Sequence, residues 1–374
     1  MHRNRERLFQ LGSIAIGIAG FLVLAEILLR FLPVASGLSS REVTAESPVF
    51  RFSSDRDFVF SKGWNLDMVN HGHVNNDGWV NDQDYHSDDS SPLVAVVGDS
   101  FVEAAMVPYA QTFHGLIANF FRDKFRVYSF GASGAPLSQY LISARYAVQQ
   151  FKARALVINV VGNDFDESYI NYKAAPGFWY YAPDPTGRLQ LRLVEYRPGP
   201  MRSIVRHSAL MRYLAINIGV AYLTSLNWMG YYIDYTGEKL PPHYAGFTLA
   251  DPEPARVAAS KLAVDAFLRD LHDIGLPARC VAFTVDGFRY PELSKKEAGT
   301  FFDILRKYFR EQAEARAYEV IDLDPVFFLR YRTTSERFEY PNDGHWNAAG
   351  HAVVAEALKS SRTLTSSCNE IQGR

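Results

Sequence analysis

The sequence predicts an α/β fold: a three-layer α/β/α sandwich with a mostly parallel sheet of about five strands, an aromatic-rich insertion and an N-terminal transmembrane helix. The sheet is predicted by short segments that are continuously apolar or β-branched, as in strands buried on both faces. These segments are LVAVVG at 93–98, RVYSFG at 126–131, ALVINVVG at 155–162, ARCVAFTV at 278–285 and YEVIDL at 318–323. Helical patterns lie near 110–123, 137–151, 253–274 and 295–316. This alternation is typical of a parallel sheet covered by helices on both sides.

Composition narrows the classes of function. The chain has 374 residues, of which 48% are hydrophobic and 14% aromatic, so it can bury a sizeable core. Its formal net charge of −2 gives no general attraction to phosphate backbones. We also find no basic helix with interleaved aromatic residues. Nucleic-acid binding is therefore not expected.

Residues 1–33 have the pattern of a membrane segment. Between Arg7 and Arg30 the chain is made of apolar or small residues except for Gln10 and Glu26. As a helix this stretch would be ~33 Å long, which is enough to cross the hydrocarbon core of a bilayer. A buried core helix is the less favoured alternative because of the length and the flanking arginines.

The flanking charges predict the orientation. Arg3, Arg5 and Arg7 precede the span and favour a cytoplasmic N-terminus, which places the following domain on the periplasmic or extracellular side. The segment 34–36, Val-Ala-Ser, is an acceptable cleavage site, but the apolar run is longer than in most cleaved signals. We therefore expect a single-pass protein that keeps its anchor.

Residues 34–92 are polar and rich in turn-forming residues, and we interpret them as a stalk and lead-in. Within them His71, His73 and His86 lie among several aspartates. Their spacing matches no metal-ligand template, so a solvated linker is preferred and no metal site is predicted.

The domain that carries the sheet is predicted at 93–360, with a C-terminal tail at 361–374. Within the domain, residues 165–250 are dense in aromatic residues and prolines. An insertion of this size is either a lid or substrate platform, or a packing subdomain that closes one side of the sheet. A second membrane helix at 209–226 is disfavoured because Arg212 and scattered polar residues interrupt it.

The chain has two cysteines, Cys280 and Cys368. In an extracytoplasmic domain they can form a disulfide, but Cys280 lies in a strand-like run and can equally be a small buried apolar residue. Neither C-x-x-C nor H-E-x-x-H occurs, so the sequence supports no zinc site, and it predicts no cofactor.

Ser100 follows the first predicted strand, in VVGDS. Ligands of parallel sheets bind at the carboxyl ends of the strands, which places Ser100 at the functional edge. A serine at a strand end often only caps the next helix. To act as a nucleophile it needs a base, a group that orients this base, and donors for an oxyanion.

Candidates for these roles follow other strands. Asp343 and His345 lie two residues apart in a predicted loop just before a helical segment, so the carboxylate can hold the imidazole while the other ring nitrogen takes the serine proton. Taken alone, His345 could equally be a capping or core histidine. Asn163 ends the third strand in VVGND, and its amide can donate to an oxyanion. Gly131 and Gly134 end the second strand in SFGASGAP, and either can bring a backbone N–H to the same point.

In these blocks the chain resembles the SGNH, or GDSL-type, hydrolases. The resemblance covers roughly 93–164 and 278–358 and leaves the insertion unmatched. It implies a nucleophile, base and orienting carboxylate at Ser100, His345 and Asp343, with oxyanion donors from Ser100, Gly134 and Asn163. The residues that match the family blocks are Ser100, Gly134, Gly162, Asn163, Asp164, Asp343 and His345.

The last block departs from the common D-x-x-H pattern. Asn342 stands three residues before His345, and Asp343 stands two before it. A D-x-H-W arrangement is similar to that of SGNH-like proteins that O-acetylate exopolysaccharides, although there the pair precedes the serine. We expect Asp343 to orient His345, with Asp164 as the alternative carboxylate. Phe101 replaces the leucine of GDSL, which exchanges one apolar residue for another.

The resemblance implies an acyl-serine intermediate that is resolved by water or by a sugar hydroxyl. We expect a membrane-anchored extracytoplasmic esterase that cleaves O-acyl esters, acetyl esters first, on a carbohydrate or another small ester. One alternative is an O-acetyltransferase acting on an exported polysaccharide, which would need a membrane partner to deliver acyl groups. The other is an inactive polysaccharide-binding protein, which the intact set of site residues disfavours.

Overall fold

A computed structural model describes residues 2–199, 205–219, 252–341, 343–365 and 368. The residues group into two compact units. The smaller unit comprises 1–38, 57–71 and 198–231, and the larger comprises 39–56, 72–197 and 232–374. Asn342 and most of 200–250 lie outside the described residues.

The described strands and helices follow in chain order. The strands are β1 (Arg56–Lys62), β2 (Met68–Val74), β3 (Leu93–Gly98), β4 (Arg126–Gly131), β5 (Ala155–Val160), β6 (Trp179–Pro183), β7 (Leu189–Leu193), β8 (Val281–Val285), β9 (Glu319–Asp322), β10 (Glu339–Tyr340) and β11 (Asp343–Trp346). The helices are α1 (His2–Leu29), α2 (Ser100–Glu103), α3 (Phe113–Phe120), α4 (Leu137–Phe151), α5 (Asp164–Glu167), α6 (Ala209–Arg212), α7 (Pro254–His272), α8 (Pro291–Lys296), α9 (Phe301–Ala315), α10 (Asp324–Thr334), α11 (Ala348–Lys359) and α12 (Arg362–Thr365).

The larger unit is built on a parallel five-stranded sheet in the order β4-β3-β5-β8-β9. The chain runs from β3 to β4 on one side and then to β5 on the other. Loops that leave β3 and its neighbours therefore diverge, and such a change of direction opens a crevice at the carboxyl ends of the strands. Ser100 follows β3 directly and lies at this crevice.

Helices cover both faces of the sheet, which gives the predicted three layers. On one face α3 and α11 pack together, and their side chains share a core with Val94 and Val157 of the sheet. On the other face α4, α7 and α9 pack together, and the Phe283 ring of β8 lies 5.1 Å from the Phe309 ring of α9. The strands are buried because both faces are covered.

Three predicted elements match the structure residue for residue: the strands at 93–98 and 126–131 and the helix at 137–151. The strand expected from 278 begins at Val281 because the preceding residues form a 3₁₀ turn. The single helix expected at 295–316 is two helices, α8 and α9, separated by Gly299 in a left-handed conformation with φ of +82°.

Cys280 and Cys368 form a disulfide that joins the start of β8 to the C-terminal segment. The sequence left open whether Cys280 forms a disulfide or is a small buried apolar residue. Cys280 does both, because it is bonded to Cys368 and is also buried in the core.

Residues 34–92 contribute β1, β2 and several buried aromatic side chains, among them Phe52, Trp79 and Tyr85. The described part of the insertion contains the antiparallel pair of β6 and β7. There Tyr180 and Tyr181 are fully buried. The domain boundaries given above stay a prediction.

In the smaller unit, α1 is long and apolar enough to cross a membrane or to serve as a signal sequence. The candidate span, Arg5–Leu29, has 25 residues and exposes its apolar side chains. At 1.5 Å per residue the span is ~37 Å long.

Candidate active site

Ser100 is the first residue of α2, and the turn that carries it is fixed by Asp99. The Asp99 carboxylate caps the helix by accepting the Phe101 N–H at 3.0 Å. It also lies 3.4 Å from the Ser100 hydroxyl. Burial raises the pKa of Asp99. The serine is thus both the start of a helix and a side chain at the crevice.

Asp343 and His345 lie on the short strand β11, whereas the sequence suggested a loop. Side chains two residues apart on a strand point to the same face. This geometry explains why the spacing is D-x-H: the strand places the carboxylate beside the imidazole with one residue between them. Trp346, the next residue, is fully buried in the core.

The three side chains form a continuous hydrogen-bonded chain. His345 Nε2 lies 2.7 Å from Ser100 Oγ, and His345 Nδ1 lies 2.5 Å from Asp343 Oδ1. The same carboxylate oxygen accepts the His345 backbone N–H at 2.9 Å. With its proton on Nδ1, the imidazole donates to Asp343 and can accept the serine proton on Nε2.

Asp164, the alternative carboxylate, is bonded elsewhere. It accepts the Tyr140 hydroxyl at 2.8 Å and the Val161 N–H at 2.8 Å. It is fully buried, and burial raises its pKa well above the ordinary value. The carboxylate that contacts His345 is therefore Asp343.

Arg289 links the serine helix to the histidine strand. Its Nη1 donates to the Gly344 carbonyl at 2.8 Å, and its Nη2 pairs with Asp286 at 2.6 Å. Its guanidinium lies 5.4 Å from the centre of the Phe101 ring. The side chain is fully buried, so its charge depends on Asp286 for compensation.

The loop after β4 is fixed by Glu103, which belongs to the same short helix as Ser100. The Glu103 carboxylate accepts the Ser133 N–H at 2.7 Å and the Ser133 hydroxyl at 2.8 Å. Gly134 follows with φ of +75°, a left-handed conformation that favours glycine. Gly131, by contrast, is the last residue of β4 and packs against the backbone of α2. Of the two glycines, Gly134 is the one in the loop.

Asn163 begins the segment after β5, and its amide donates to Glu167 Oε2 at 3.0 Å. Glu167 also pairs with Lys173, whose side chain is 3% exposed. Lys173 Nζ would lie 3.5 Å from a Cβ atom added to Gly134. The ion pair therefore connects Asn163 to Gly134, the two residues expected to bind an oxyanion.

The orientation of the Asn163 amide depends on Glu167. Among the residues that the structure describes, Asn163 Oδ1 is buried without a hydrogen-bond partner, so the bond from Nδ2 to the carboxylate distinguishes the two ends of the amide. Turning the amide over would place its oxygen against the carboxylate. One N–H of Asn163 is thus held by Glu167.

Glu167→Gln is expected to lower kcat and to change KM little. A glutamine keeps an oxygen for Asn163 and Lys173, which both contact Glu167 Oε2, but it removes the negative charge that strengthens the bond to the amide and compensates the lysine. Asn163→Ala should cost more, ~100- to 1,000-fold in kcat, because it removes the donor itself. Steady-state kinetics test both variants, with exposed Glu292→Gln as the matched control. Unchanged kcat in Glu167→Gln would contradict the positioning role.

Glu103 gives the fold a pH-dependent contribution. Burial raises its pKa to about 7. The Glu103 carboxyl group therefore loses its proton at lower pH in the unfolded chain than in the folded chain. As a result, Glu103 lowers the free energy of unfolding as the pH rises from ~4.5 to ~7. In Glu103→Gln this contribution is absent. The free energy of unfolding of Glu103→Gln, measured relative to that of wild type, should therefore rise by up to about 3 kcal/mol between pH 5 and pH 8.

Denaturant unfolding of both proteins at pH 5 and pH 8 measures this difference. The buried carboxyl groups of Asp99 and Asp324 also have raised pKa values, but they are present in both proteins and cancel in the comparison. An identical pH dependence in the two proteins would show that Glu103 does not titrate in this range.

Four residues at the site had not been identified from the sequence: Glu103, Glu167, Lys173 and Arg289. None belongs to a spacing that marks a known motif. Arg289 bonds to Gly344, 55 residues away, and Glu103 bonds to Ser133, 30 residues away, so local sequence gives no signal for these two. Glu167 lies four residues from Asn163 and six from Lys173, but these spacings mark no site by themselves.

No protein-family model and no curated protein sequence matches this chain. Among solved structures, it is similar to an α/β hydrolase enzyme from the metagenome of Lake Arreo, Spain, at 12% identity and a TM-score of 0.40, over 75% of this chain and 100% of the other. An acetyl xylan esterase, AlAXEase, matches at 11% identity and a TM-score of 0.39, over 72% and 98%. A member of the lipolytic G-D-S-L family from Veillonella parvula matches at 10% identity and a TM-score of 0.35, over 72% and 97%. At these values the function has to be inferred from the site itself.

Proposed function

We propose that the chain is a serine ester hydrolase that forms an acyl-enzyme at Ser100. The observation that carries the proposal is the hydrogen-bonded chain from Ser100 Oγ through His345 to Asp343, with lengths of 2.7 Å and 2.5 Å. As Oγ attacks an ester carbonyl, His345 takes the hydroxyl proton, and the carboxylate of Asp343 stabilises the imidazolium that forms. His345 then gives the proton to the departing alcohol.

The negative charge that develops on the ester oxygen would be bound by three donors: the amide of Asn163 and the backbone N–H groups of Gly134 and Ser100. Such donors are effective because they are held in place before the reaction. Here Glu167 holds the amide, and Glu103 holds the loop before Gly134. Water then attacks the acyl-serine, with His345 as the base, and releases the acid.

We propose O-acyl esters, acetyl esters first, as the substrates, with a carbohydrate as the alcohol part. The polar side chains of Lys173, Glu167 and Glu103, of which the lysine and Glu103 are buried, lie beside the oxyanion donors and suit a small acyl group better than a long apolar chain. Tyr172, in the aromatic-rich insertion, is 40% exposed and can stack on a sugar ring.

A panel of esters tests the proposal on the full-length protein in detergent. We expect hydrolysis of p-nitrophenyl acetate and of acetylated xylo-oligosaccharides, and a lower rate as the acyl chain grows to octanoate. Mass spectrometry of added sugars separates the transfer of an acyl group from its loss to water. Hydrolysis that is equally fast in Ser100→Ala would contradict the proposal, and acetylated sugar as the main product would favour the transferase alternative.

We also propose that α1 anchors the larger unit on the extracytoplasmic side of a membrane. The three arginines that precede the span support this orientation, and the disulfide suits an oxidising compartment. Val34 and Ala35, at the candidate cleavage site, are buried within the smaller unit. This burial supports retention of the anchor.

A reporter that is active only outside the cytoplasm should be active when fused after residue 374. The expected mature protein also keeps its N-terminus, which intact-mass measurement of membrane-extracted protein checks. Activity of only a cytoplasmic reporter at the same position would reverse the orientation, and a mass lacking residues 1–35 would show that the anchor is cleaved.

A further inference from the structure

Glu26, an acidic residue near the outer end of α1, is bonded to a distant part of the chain. Its carboxylate accepts the Ser208 hydroxyl at 2.8 Å and the backbone N–H groups of Ala209 at 3.0 Å and Leu210 at 2.9 Å. Arg30, one turn further along α1, donates to it at 2.8 Å. The carboxylate therefore fastens the start of α6 to the candidate membrane span.

This bond fixes the depth of α6 relative to the end of the span. Glu26 precedes Leu29, the last residue of α1, by three positions, which is ~4.5 Å along a helix axis. The polar headgroup layer on each side of a bilayer is about 5–7 Å thick. If α1 crosses a bilayer, Ser208–Leu210 must lie at the boundary between headgroups and acyl chains. An ionised carboxylate is tolerated near that boundary because its hydrogen-bond donors come with it.

The turn between β1 and β2 is held at the same segment. The Tyr213 hydroxyl donates to the Trp64 carbonyl at 2.5 Å, and Asn217 Nδ2 donates to Ser61 Oγ at 2.9 Å. The Trp64 side chain itself is 73% exposed. Tryptophan is enriched where proteins meet the interface of a membrane, because its ring is apolar and its N–H is polar.

Apolar side chains are exposed just after α1 and on the segments that these hydrogen bonds join, and we call them the juxtamembrane collar. Exposure of large apolar residues on one small unit indicates a surface that something else covers. The collar consists of Phe31, Leu32, Trp64, Met211 and Ile218, which are 42–83% exposed.

We propose that the juxtamembrane collar is a lipid-binding surface that inserts into the headgroup–acyl boundary of the bilayer crossed by α1. The proposal rests on the membrane anchoring by α1 proposed above. It adds a second contact, in which the smaller unit inserts side chains into one surface of the bilayer. The clamp of Glu26 on α6 would hold this unit in a fixed position at the membrane surface.

Depth-dependent quenching tests the collar on the full-length protein in phosphatidylcholine vesicles. A cysteine replaces Trp64, Met211 or Leu22 in turn and carries an NBD fluorophore, while Cys280 and Cys368 remain paired. We expect labels at 64 and 211 to lose more emission to a lipid with a shallow doxyl group than to one with a deep doxyl group. A label at 22, which lies ~6 Å deeper along the span than Glu26, should lose relatively more emission to the deep doxyl group than the labels at 64 and 211 do. Vesicles without doxyl lipid supply the unquenched emission.

The outcomes separate the collar from the anchor. Labels at 64 and 211 that are not quenched, with a quenched label at 22, would overturn the collar and leave the anchor standing. A label at 22 that is not quenched would overturn both. In Glu26→Leu, which keeps an apolar span, the label at 211 should lose its shallow quenching while the label at 22 is unchanged. Unaltered quenching at 211 would show that Glu26 does not hold α6 at the membrane.

Discussion

Ser100→Ala is expected to abolish ester hydrolysis and labelling by an organophosphonate together. The reason is that Ser100 Oγ is the hydroxyl that lies 2.7 Å from His345 Nε2, so it is the group whose proton the imidazole can remove. In serine hydrolases the loss of the nucleophile typically costs ~10⁶-fold in kcat. The variant should fold, because an alanine at the first position of α2 leaves the cap from Asp99 to Phe101 in place.

Peptide mass spectrometry of the labelled wild-type protein locates the modified residue. Ser133→Ala is the matched control, since Ser133 is a nearby serine whose hydroxyl donates to Glu103. Labelling at Ser100 should persist in that control. Esterase activity that survives in Ser100→Ala would mean that another group attacks the ester and that the proposed mechanism is wrong.

The sheet could be predicted from the sequence because its strands are buried on both faces and therefore read as continuous apolar runs. LVAVVG at 93–98 has all six residues buried, and the structure gives β3 the same limits. The helix at 137–151 is equally clear from the helical spacing of its apolar residues. The helix predicted at 295–316 failed at Gly299, where a single backbone conformation interrupts an otherwise continuous apolar pattern.

The reacting residues of the candidate site could be predicted from the sequence, but the residues that hold them in place could not. Ser100 and Asn163 each follow a strand of the five-stranded sheet, so the order of its strands brings them to one edge. His345 lies on the separate strand β11 and reaches that edge by its hydrogen bond with Ser100. Arg289 and Lys173 were not recognised because a buried cation is identified only through its partners. Gly344 lies 55 residues from Arg289 and becomes its neighbour only after the chain folds, whereas Glu167 lies six residues from Lys173 in a spacing that marks no motif.

In the proposed mechanism, the residues that hold the base and those that hold the oxyanion donors act on different halves of the reaction. Arg289 bonds to the Gly344 carbonyl on β11 and so affects the position of the base. Glu167 and Lys173 bond on the side of Asn163 and so affect the oxyanion donors. Substitutions in the first group should disturb proton transfer from Ser100, whereas those in the second should weaken stabilisation of the developing charge.

Asp343→Asn is expected to lower kcat by about 10⁴-fold, as loss of the orienting carboxylate does in related triads. The His345 backbone N–H and His345 Nδ1 both contact the same carboxylate oxygen, so an asparagine keeps both bonds only when its oxygen takes that position. In the reversed orientation its NH2 group would donate to His345 Nδ1. The imidazole proton would then lie on Nε2, where it blocks transfer from Ser100. The neutral amide also cannot stabilise the imidazolium.

Asn342→Ala is the comparison that assigns the orienting role. The sequence predicts that it changes kcat little, and Asn342 lies outside the described residues, so this stays a prediction. A second comparison is Asp164→Asn, because Asp164 is the alternative carboxylate and its partners are Tyr140 and Val161. Steady-state kinetics, with circular dichroism to verify the fold, measure all three variants. If Asp343→Asn keeps wild-type kcat while Asp164→Asn loses it, the carboxylate that serves His345 during the reaction is Asp164, and the contact at 2.5 Å belongs only to the resting enzyme.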